Sequence, residues 1–273
     1  MDANRTGPAG RYRGPTGTLA RLTEHARVGS RILAGHLLGQ RRPLLAGFKL
    51  TQRCNLRCSV CPYWRQSTPE MDYAGVVCTL AELRRSGARF LILEGGEPFL
   101  WHHGSYGLED VVAAAQERFF WVGVVTNGTF PLQSQADILW VSVDGLGETH
   151  DRNRGPTFDR VMAHVEASDH PRLYANVTIN RLNRREIPAL IEFLAGRIAG
   201  VTIQFYYPYA GTEDLGLTKE ERRQVLDDLI HLKRLGYPVT DSVAALEALK
   251  ANTWRCHPWL LVNAESGERP EGL

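Results

Sequence analysis

Three of the five cysteines in this chain of 273 residues lie within eight positions, at Cys54, Cys58 and Cys61. Thiolates carried on one short C-x3-C-x2-C segment can converge on a single metal centre, and thiolates select zinc or iron–sulfur clusters. A structural zinc site usually has four protein ligands, so zinc would also need Cys78, Cys256 or a histidine. Three thiolates instead fit a cubane cluster with one iron open to an external ligand. The spacing therefore favours an iron–sulfur cluster.

Polar or glycine-rich segments follow the apolar runs farther along the chain. Each of them is also typical of an ordinary turn between a strand and a helix, because Asn, Asp and Gly dominate turns. Catalytic residues of parallel β/α folds gather at the carboxyl ends of the strands, so we expect these segments to lie together. They are EGGEP (94–98), TNGT (126–129), SVDG (142–145), HDRNRGPTFDRV (150–161) and TINRLN (178–183).

Short apolar runs that alternate with helical patterns must position these segments. This alternation predicts parallel strands covered by helices, that is, an α/β fold of the partial (β/α)6 TIM-barrel type. The third and fourth strands are joined by only about ten residues and have no helix between them. The predicted strands are 45–50, 89–96, 121–128, 138–145, 173–180 and 201–208, and the predicted helices are near 74–86, 107–118, 157–168 and 185–196.

The sequence divides into three predicted parts. Residues 1–43 form a basic, flexible extension, in which an amphipathic helix over 19–39 would either pack on the domain or contact a membrane surface. Residues 44–215 form the partial barrel. Residues 216–273 form a helical extension and tail, whose first helix, 218–236, opens with a Thr-x-x-Glu capping box and whose second spans 242–251.

Composition and charge exclude several classes of protein. Hydrophobic residues make up 43% of the chain, and no apolar run approaches the ~18 residues of a membrane span. The amino terminus lacks the apolar core of a secretory signal, so we expect a cytoplasmic protein with reduced thiols. Arginines concentrate near the amino terminus, and the barrel shows no basic patch interleaved with aromatic residues, so we expect no nucleic-acid partner.

The sequence resembles the radical S-adenosylmethionine enzymes in two features. These are the segment LTQRCNLRC with Cys61 after it, and the polar or glycine-rich segments that follow the strands. The resemblance implies that Cys54, Cys58 and Cys61 hold a [4Fe–4S] cluster and that S-adenosylmethionine binds the open iron. It also implies reductive cleavage of this cofactor to a 5′-deoxyadenosyl radical, with an electron donor such as flavodoxin or ferredoxin as partner. A non-catalytic metal-binding scaffold is the alternative from another class of protein.

The resemblance also assigns contacts with the cofactor. The turn after the second strand would hold the methionyl amino group, and its glycines would let the backbone approach the cofactor where a side chain would block it. Ser142 and Asp144 would lie near the ribose, and Asn180 near the carboxylate or ribose. The complete set of implied contacts is Gly95, Gly96, Glu97, Pro98, Thr126, Asn127, Ser142, Asp144 and Asn180.

One position departs from the family pattern. The residue before the third cysteine is usually aromatic in this family and packs on the adenine, whereas here it is Val60. Tyr63 or Trp64 could take over this contact, or an apolar contact could suffice. An aromatic stripe over 205–209 would either line a substrate pocket or pack in the core.

The carboxy-terminal segment bears on the substrate. Residues 254–267 resemble the start of the SPASM or twitch-like extension of peptide-modifying members, but no further cysteine follows Cys256. Either Cys256 acts alone or the sequence stops before further cysteines. The same segment also resembles the tail of the adenosyl hopene transferase group, and together with the basic helix over 19–39 it suggests a lipid or isoprenoid-like substrate. A peptide-modifying maturase is the alternative.

Overall fold

Seven parallel strands form one open sheet in the computed structural model, which describes residues 26, 29–30, 33–35, 42–65 and 69–265. The strands lie in the order β6-β5-β4-β3-β2-β1-β7, and every pairing between neighbours is parallel. Their bounds are β1 Leu45–Thr51, β2 Phe90–Gly95, β3 Trp121–Thr126, β4 Ile138–Ser142, β5 Leu173–Ile179, β6 Gly200–Phe205 and β7 Leu261–Glu265.

Helices connect most of these strands. The α-helices are α1 Tyr73–Ser86, α2 Leu108–Gln116, α3 Gly147–Arg154, α4 Phe158–Ala167, α5 Ile187–Leu194, α6 Lys219–Arg234 and α7 Val243–Ala251. The predicted capping box at the start of α6 is confirmed, because Thr218 accepts a hydrogen bond from the Glu221 N–H and Glu221 accepts one from the Thr218 N–H.

The two faces of β1 show how the sheet is packed. Phe48 and Leu50 are fully buried in the apolar core together with Leu80 of α1. Successive side chains of a strand point to opposite faces, so Gly47 and Lys49 belong to the other, inner face of the barrel. The helices therefore cover the outer face of the sheet, and the inner face is left for a site.

The partial barrel predicted from the sequence is confirmed, with one strand more than expected. All six predicted strands are present within a few residues of their expected bounds, and the segment 127–137 joins β3 to β4 without a helix. The seventh strand, β7, lies in the predicted tail and pairs with β1 from Leu45↔Leu261 to Lys49↔Glu265. The predicted carboxy-terminal extension thus contributes a strand to the sheet itself.

A further helix that the sequence did not predict, α3, lies between β4 and α4. It is a polar helix, and the side chains that it buries are Thr149, His150 and Asn153. The Asn153 amide donates to the carbonyl oxygen of Thr149 (2.9 Å) and accepts from the Asn180 amide (2.7 Å). Hydrogen bonds in place of apolar burial therefore fix α3 in the structure.

Most of the helix predicted over 19–39 lies outside the described residues. The residues of this range that are described, at 26, 29–30 and 33–35, are helical. Within the described ranges, no helix is both long enough and apolar enough to cross a lipid bilayer.

Candidate functional site

A cavity of about 360 Å³ lies between the cysteine segment and the carboxyl ends of the strands. Eight of the predicted site residues line it: Cys54, Cys58, Cys61, Gly95, Gly96, Thr126, Asn127 and Ser142. Four others, Glu97, Pro98, Asp144 and Asn180, are buried behind this wall. The structure therefore brings the three cysteines together with segments that follow β2, β3 and β4.

The cysteine segment forms a loop over the end of the barrel. The Cys61 N–H donates to the carbonyl oxygen of Cys58 (3.2 Å), and the Leu56 N–H and the Asn127 amide lie 3.4 and 3.8 Å from the Cys54 sulfur. Burial raises the pKa of the Cys54 thiol, and it raises that of Cys58 to about 11. Metal binding that replaces these protons would offset the cost of forming buried thiolates.

The donor set suits an iron–sulfur cluster better than a single metal ion. In the described part of the chain, no three His, Cys, Asp or Glu side chains form a group that could hold one metal ion. A cubane cluster does not need such a group, because each thiolate binds its own iron. All five cysteines are free, and Cys78 and Cys256 are exposed and do not line the cavity.

The glycines after β2 are required by the neighbouring strand. A Cβ atom on Gly95 would overlap the carbonyl oxygen of Thr51, and one on Gly96 would overlap that of Arg53. The Gly96 N–H also donates to the Thr51 carbonyl (2.7 Å). We expected these glycines to allow close approach to a ligand, but the contact in the structure is with the backbone at the end of β1. Both glycines still line the cavity.

Glu97 supports the cavity wall from inside. Its carboxylate accepts hydrogen bonds from the Thr126 hydroxyl (2.8 Å), the Asn127 N–H (2.7 Å) and the Phe99 N–H (3.2 Å). Burial raises the pKa of Glu97 to about 7, although the hydrogen bonds act in the opposite direction. Glu97 thus positions Thr126 and Asn127, which line the cavity.

Asp144 holds an arginine that the sequence analysis did not single out. One Asp144 oxygen accepts from the Arg154 Nε (2.6 Å), and the other accepts from the Thr178 N–H (2.7 Å). Arg154 ends α3 and, among the described residues that line the cavity, is the only Arg or Lys. The available sequence signal was its place as the fifth residue of the segment HDRNRGPTFDRV (150–161).

The α3 helix also contacts the cysteine loop. The Ser59 N–H and the Ser59 hydroxyl both lie within hydrogen-bond distance of the Asn153 carbonyl oxygen, at 3.0 and 3.2 Å. Asn180, which is predicted to contact the cofactor, donates to the Asn153 side chain and accepts from the Leu182 N–H (2.8 Å). These contacts tie the segment after β5 to α3, and α3 to the loop that carries the cysteines.

A row of charged residues crosses the inner face of three adjacent strands. Lys49 of β1 lies opposite Glu94 of β2 and opposite Glu265 of β7. Lys49 donates to Glu265 and lies over the Tyr63 ring, with 4.2 Å from Nζ to the ring centroid. Glu94 lines the cavity, and burial raises the pKa of its carboxyl. None of these charges was predicted, because the partners come together only through the strand pairing.

Aromatic side chains form much of the remaining wall. Phe205, Tyr206, Tyr207 and Tyr209 all line the cavity, as do Val60, Tyr63 and Trp64. Tyr63 and Tyr209 meet edge to face, with ring centroids 6.4 Å apart, and Tyr207 is 79% exposed. Of the two interpretations of the stripe over 205–209, the structure favours a lining of the cavity over core packing.

A second cavity, of about 450 Å³, lies on another side of the cysteine loop. Arg53, Arg57, Trp64 and His102 line it, and Cys54 lines both cavities. The guanidinium of Arg57 lies 5.1 Å from the centroid of the Trp64 ring. Of the two described arginines in this lining, Arg53 pairs with Glu70, with 2.9 Å from Nε to the carboxylate oxygen, and Arg57 supplies the other positive charge.

Comparison with known proteins gives one family match and several distant relatives. The family described as the Radical SAM superfamily matches residues 48–194. Fe-coproporphyrin III synthase of Methanosarcina barkeri is 28% identical over 75% of this chain and 56% of its own length. The sporulation killing factor maturation protein SkfB of Bacillus subtilis is 27% identical over 67% of this chain and 48% of its own. The chain thus spans about half the length of these curated relatives.

The structural comparison supports the same architecture. Streptococcus suis SuiB bound to S-adenosylmethionine superposes with a TM-score of 0.68 and 12% identity, over 89% of this chain and 63% of that one. At this identity, the similarity shows the fold alone. SuiB is also known in a structure bound to its precursor peptide SuiA, which superposes with a TM-score of 0.66.

Proposed function

Because this chain belongs to the radical S-adenosylmethionine superfamily, whose cofactors are a [4Fe–4S] cluster and S-adenosylmethionine, we propose that it generates a 5′-deoxyadenosyl radical and passes it to a substrate. The observation that carries the proposal is the cavity that the three cysteines share with Gly95, Gly96 and Ser142. When bound, the cluster supplies the electron and S-adenosylmethionine supplies the radical.

Cys54, Cys58 and Cys61 are the proposed ligands of the cluster. Cys58 is 9% exposed, and Arg154 acts on it to favour the thiolate, although burial has the larger and opposite effect on its pKa. The buried positive charge of Arg154 would therefore stabilise the ligand set.

Charge complementarity suggests how the cavity would hold S-adenosylmethionine. We assign the cofactor carboxylate to Arg154, whose guanidinium is fixed by Asp144 and still lines the cavity. Ser142, Thr126 and Asn127 offer polar groups beside it. Asp144, Asn180 and Glu97 act in this proposal as residues that position the wall, because internal hydrogen bonds already engage their side chains.

The aromatic lining would shield the radical. A reactive carbon radical must be kept from water, and the rings of Phe205, Tyr206 and Tyr209 occupy part of the wall that water would otherwise reach. Val60 and Tyr63 offer apolar or aromatic surface for the adenine, since both line the cavity next to the cysteines.

An external one-electron donor such as flavodoxin or ferredoxin would reduce the cluster. The second cavity supports this proposal, because Arg57 is exposed there beside Cys54, and Arg53, which pairs with Glu70, is exposed next to it. An acidic protein surface would be attracted to these charges.

A peptide is the substrate class that we favour over the lipid-like molecule suggested by the sequence. SkfB is named as a maturation protein of the sporulation killing factor, and SuiB has been captured with a precursor peptide. The lipid hypothesis rests on the carboxy-terminal segment 254–267 and on the helix over 19–39, most of which lies outside the described residues.

The first test is anaerobic reconstitution with iron and sulfide, followed by S-adenosylmethionine and dithionite. We expect brown protein that forms 5′-deoxyadenosine, measured by chromatography, and we expect both properties to be lost in Cys54→Ala, Cys58→Ala and Cys61→Ala. Cys78→Ala is the matched control and should keep both, because Cys78 is an exposed cysteine on α1 away from the cavity. A colourless protein that binds zinc through the same cysteines would support the metal-binding scaffold and refute the proposal.

A further inference from the structure

The charged row on the inner face contains one carboxylate, that of Glu94, with no hydrogen-bond or ion-pair partner among the residues that the structure describes. Lys49 stands between Glu94 and Glu265 in the register of β2, β1 and β7. With one ammonium and two carboxylates, the row carries a formal charge of about −1 when all three groups are ionised. The carboxylate that the Lys49 ammonium does not contact, Glu94 or Glu265, carries this excess negative charge.

Lys49 is committed to Glu265 and Tyr63. Its ammonium donates to the Glu265 carboxylate and lies 4.2 Å from the centroid of the Tyr63 ring. Burial opposes the charge of Lys49, but the hydrogen bond to Glu265 and the interaction with Tyr63 raise its pKa overall. Lys49 is therefore a stable cation whose ion-pair partner, Glu265, lies on β7.

Glu94 retains the unneutralised charge. Within the described residues, no hydrogen bond or ion pair reaches its carboxylate, and the field of Lys49 is the one attractive effect on its charge. One of its oxygens lies over Gly47, 3.5 Å from the position that a Cβ atom would take there. The missing side chain of Gly47 thus leaves room for the side-chain oxygen of Asn263, which lies 2.7 Å from the same position, and the Glu94 carboxylate lies beside it on the inner face.

Glu94 also faces the reactive cavity. It lines that cavity together with the three cysteines and the tyrosines, and it is the only acidic residue among the described residues that do so. Glu94 is half-buried, and the partial desolvation of its carboxylate, which raises its pKa, is not compensated by a hydrogen bond from another described residue. A cationic ligand group in the cavity would remove this penalty.

We propose that Glu94 is a substrate-binding residue that accepts hydrogen bonds from a cationic nitrogen, the ammonium or guanidinium of a lysine or arginine side chain in a peptide substrate. The inference rests on the proposed function, since it places this side chain in the cavity where the radical would form. A substrate that presents a carboxylate at the same place would be repelled. The Lys49 ammonium favours the charged form of Glu94, and its hydrogen bond to Glu265 leaves the Glu94 carboxylate available to the ligand.

The test uses the full-length, reconstituted protein with S-adenosylmethionine bound and oxygen excluded. The probes are capped pentapeptides Gly-Gly-X-Gly-Gly in which X is lysine, arginine, norleucine or glutamate, and their binding is measured by isothermal titration calorimetry at up to millimolar concentration. We expect the lysine and arginine peptides to bind about tenfold or more tightly than the norleucine and glutamate peptides.

Two variants assign the preference to Glu94. Glu94→Gln keeps the shape of the side chain and removes its charge, so the preference for the cationic peptides should fall to about twofold or less. The control Glu247→Gln removes an exposed carboxylate on α7, which pairs with Arg234 away from the cavity, and should keep the full preference.

The remaining outcomes overturn the inference. Failure of both cationic peptides to bind, equal binding of all four, or tighter binding of the glutamate peptide would each refute it. A preference that survives in Glu94→Gln would refute the assignment to this residue. If the variant weakens S-adenosylmethionine binding and the parent shows no peptide preference, Glu94 serves the cofactor and not the substrate. Since no turnover is measured, these results are independent of whether 5′-deoxyadenosine forms.

Discussion

Asp144 shows how a residue that is hidden from the cavity can determine what the cavity offers. Its carboxylate fixes Arg154, and its backbone N–H donates to His150 Nδ1 (3.3 Å). The other ring nitrogen of His150 lies 3.2 Å from the Thr157 hydroxyl. Burial, and next the charge of Arg154, lower the pKa of His150 to about 4. The imidazole is therefore a neutral acceptor at the base of the arginine site.

The neutral state of His150 predicts a pH dependence of stability. An unfolded chain protonates this group below about pH 6.5, whereas the folded protein resists protonation until about pH 4. Stability present above pH 6.5 is thus lost as the pH falls towards 4, by about 3 kcal/mol for this group. Urea unfolding of the cluster-free protein at a series of pH values should show this loss, and it should be smaller in His150→Gln. Equal pH slopes in parent and variant would contradict the assignment.

The turn that follows β2 can be tested through its packing on the end of β1. Gly96→Ala places a methyl group against the Arg53 carbonyl, and we expect a loss of about 1–3 kcal/mol in the free energy of unfolding. Gly107→Ala is the matched control, because nothing lies within 4 Å of the added Cβ atom there, and it should cost less than about 1 kcal/mol. Urea denaturation of both variants without the cluster measures the difference. Similar losses in the two variants would mean that the turn can shift away from β1.

Local pattern was enough to predict six strands, but not α3 or β7. The predicted strands carry runs of apolar residues, because they lie side by side in one sheet that helices cover. The α3 helix, GETHDRNR, has no apolar stripe that a pattern search could detect. The hydrogen bonds of His150 and Asn153 hold it in place. The β7 strand is short and pairs with residues more than 200 positions earlier, which no local pattern can show.

The site was predicted only in part for a related reason. The cysteines and the turn glycines are recognised by type and spacing, and they line one cavity. Glu97, Asp144 and Asn180 were expected to face the cofactor, but which way a polar side chain points depends on the donors around it. Arg154 and Glu94 reach the cavity through α3 and through strand register, which the sequence does not reveal. The assignment of each residue to a cofactor atom remains a prediction.

The tail strand ties the carboxy-terminal part of the described chain to its start. Val262 and Ala264 of β7 are 3% and 2% exposed, whereas Leu261 is 44% exposed. We expect Val262→Ala to lower the free energy of unfolding by about 2 kcal/mol through lost burial and a small cavity. Leu261→Ala should cost less than about 1 kcal/mol, although it removes a larger side chain from the same strand. If Val262→Ala lowered the free energy of unfolding as little as Leu261→Ala in urea denaturation, β7 would not add to the stability of the barrel.

The sheet begins at β6 and ends at β7 without closing on itself. In a closed ring the strands would surround the inner face completely, and that face could be reached only through the two ends of the barrel. An unclosed sheet has no such topological restriction, since a chain can slide in sideways along the seam. For a peptide substrate, the residue that reacts could then lie far from either terminus, and the sheet would not restrict the length of the peptide on either side of it.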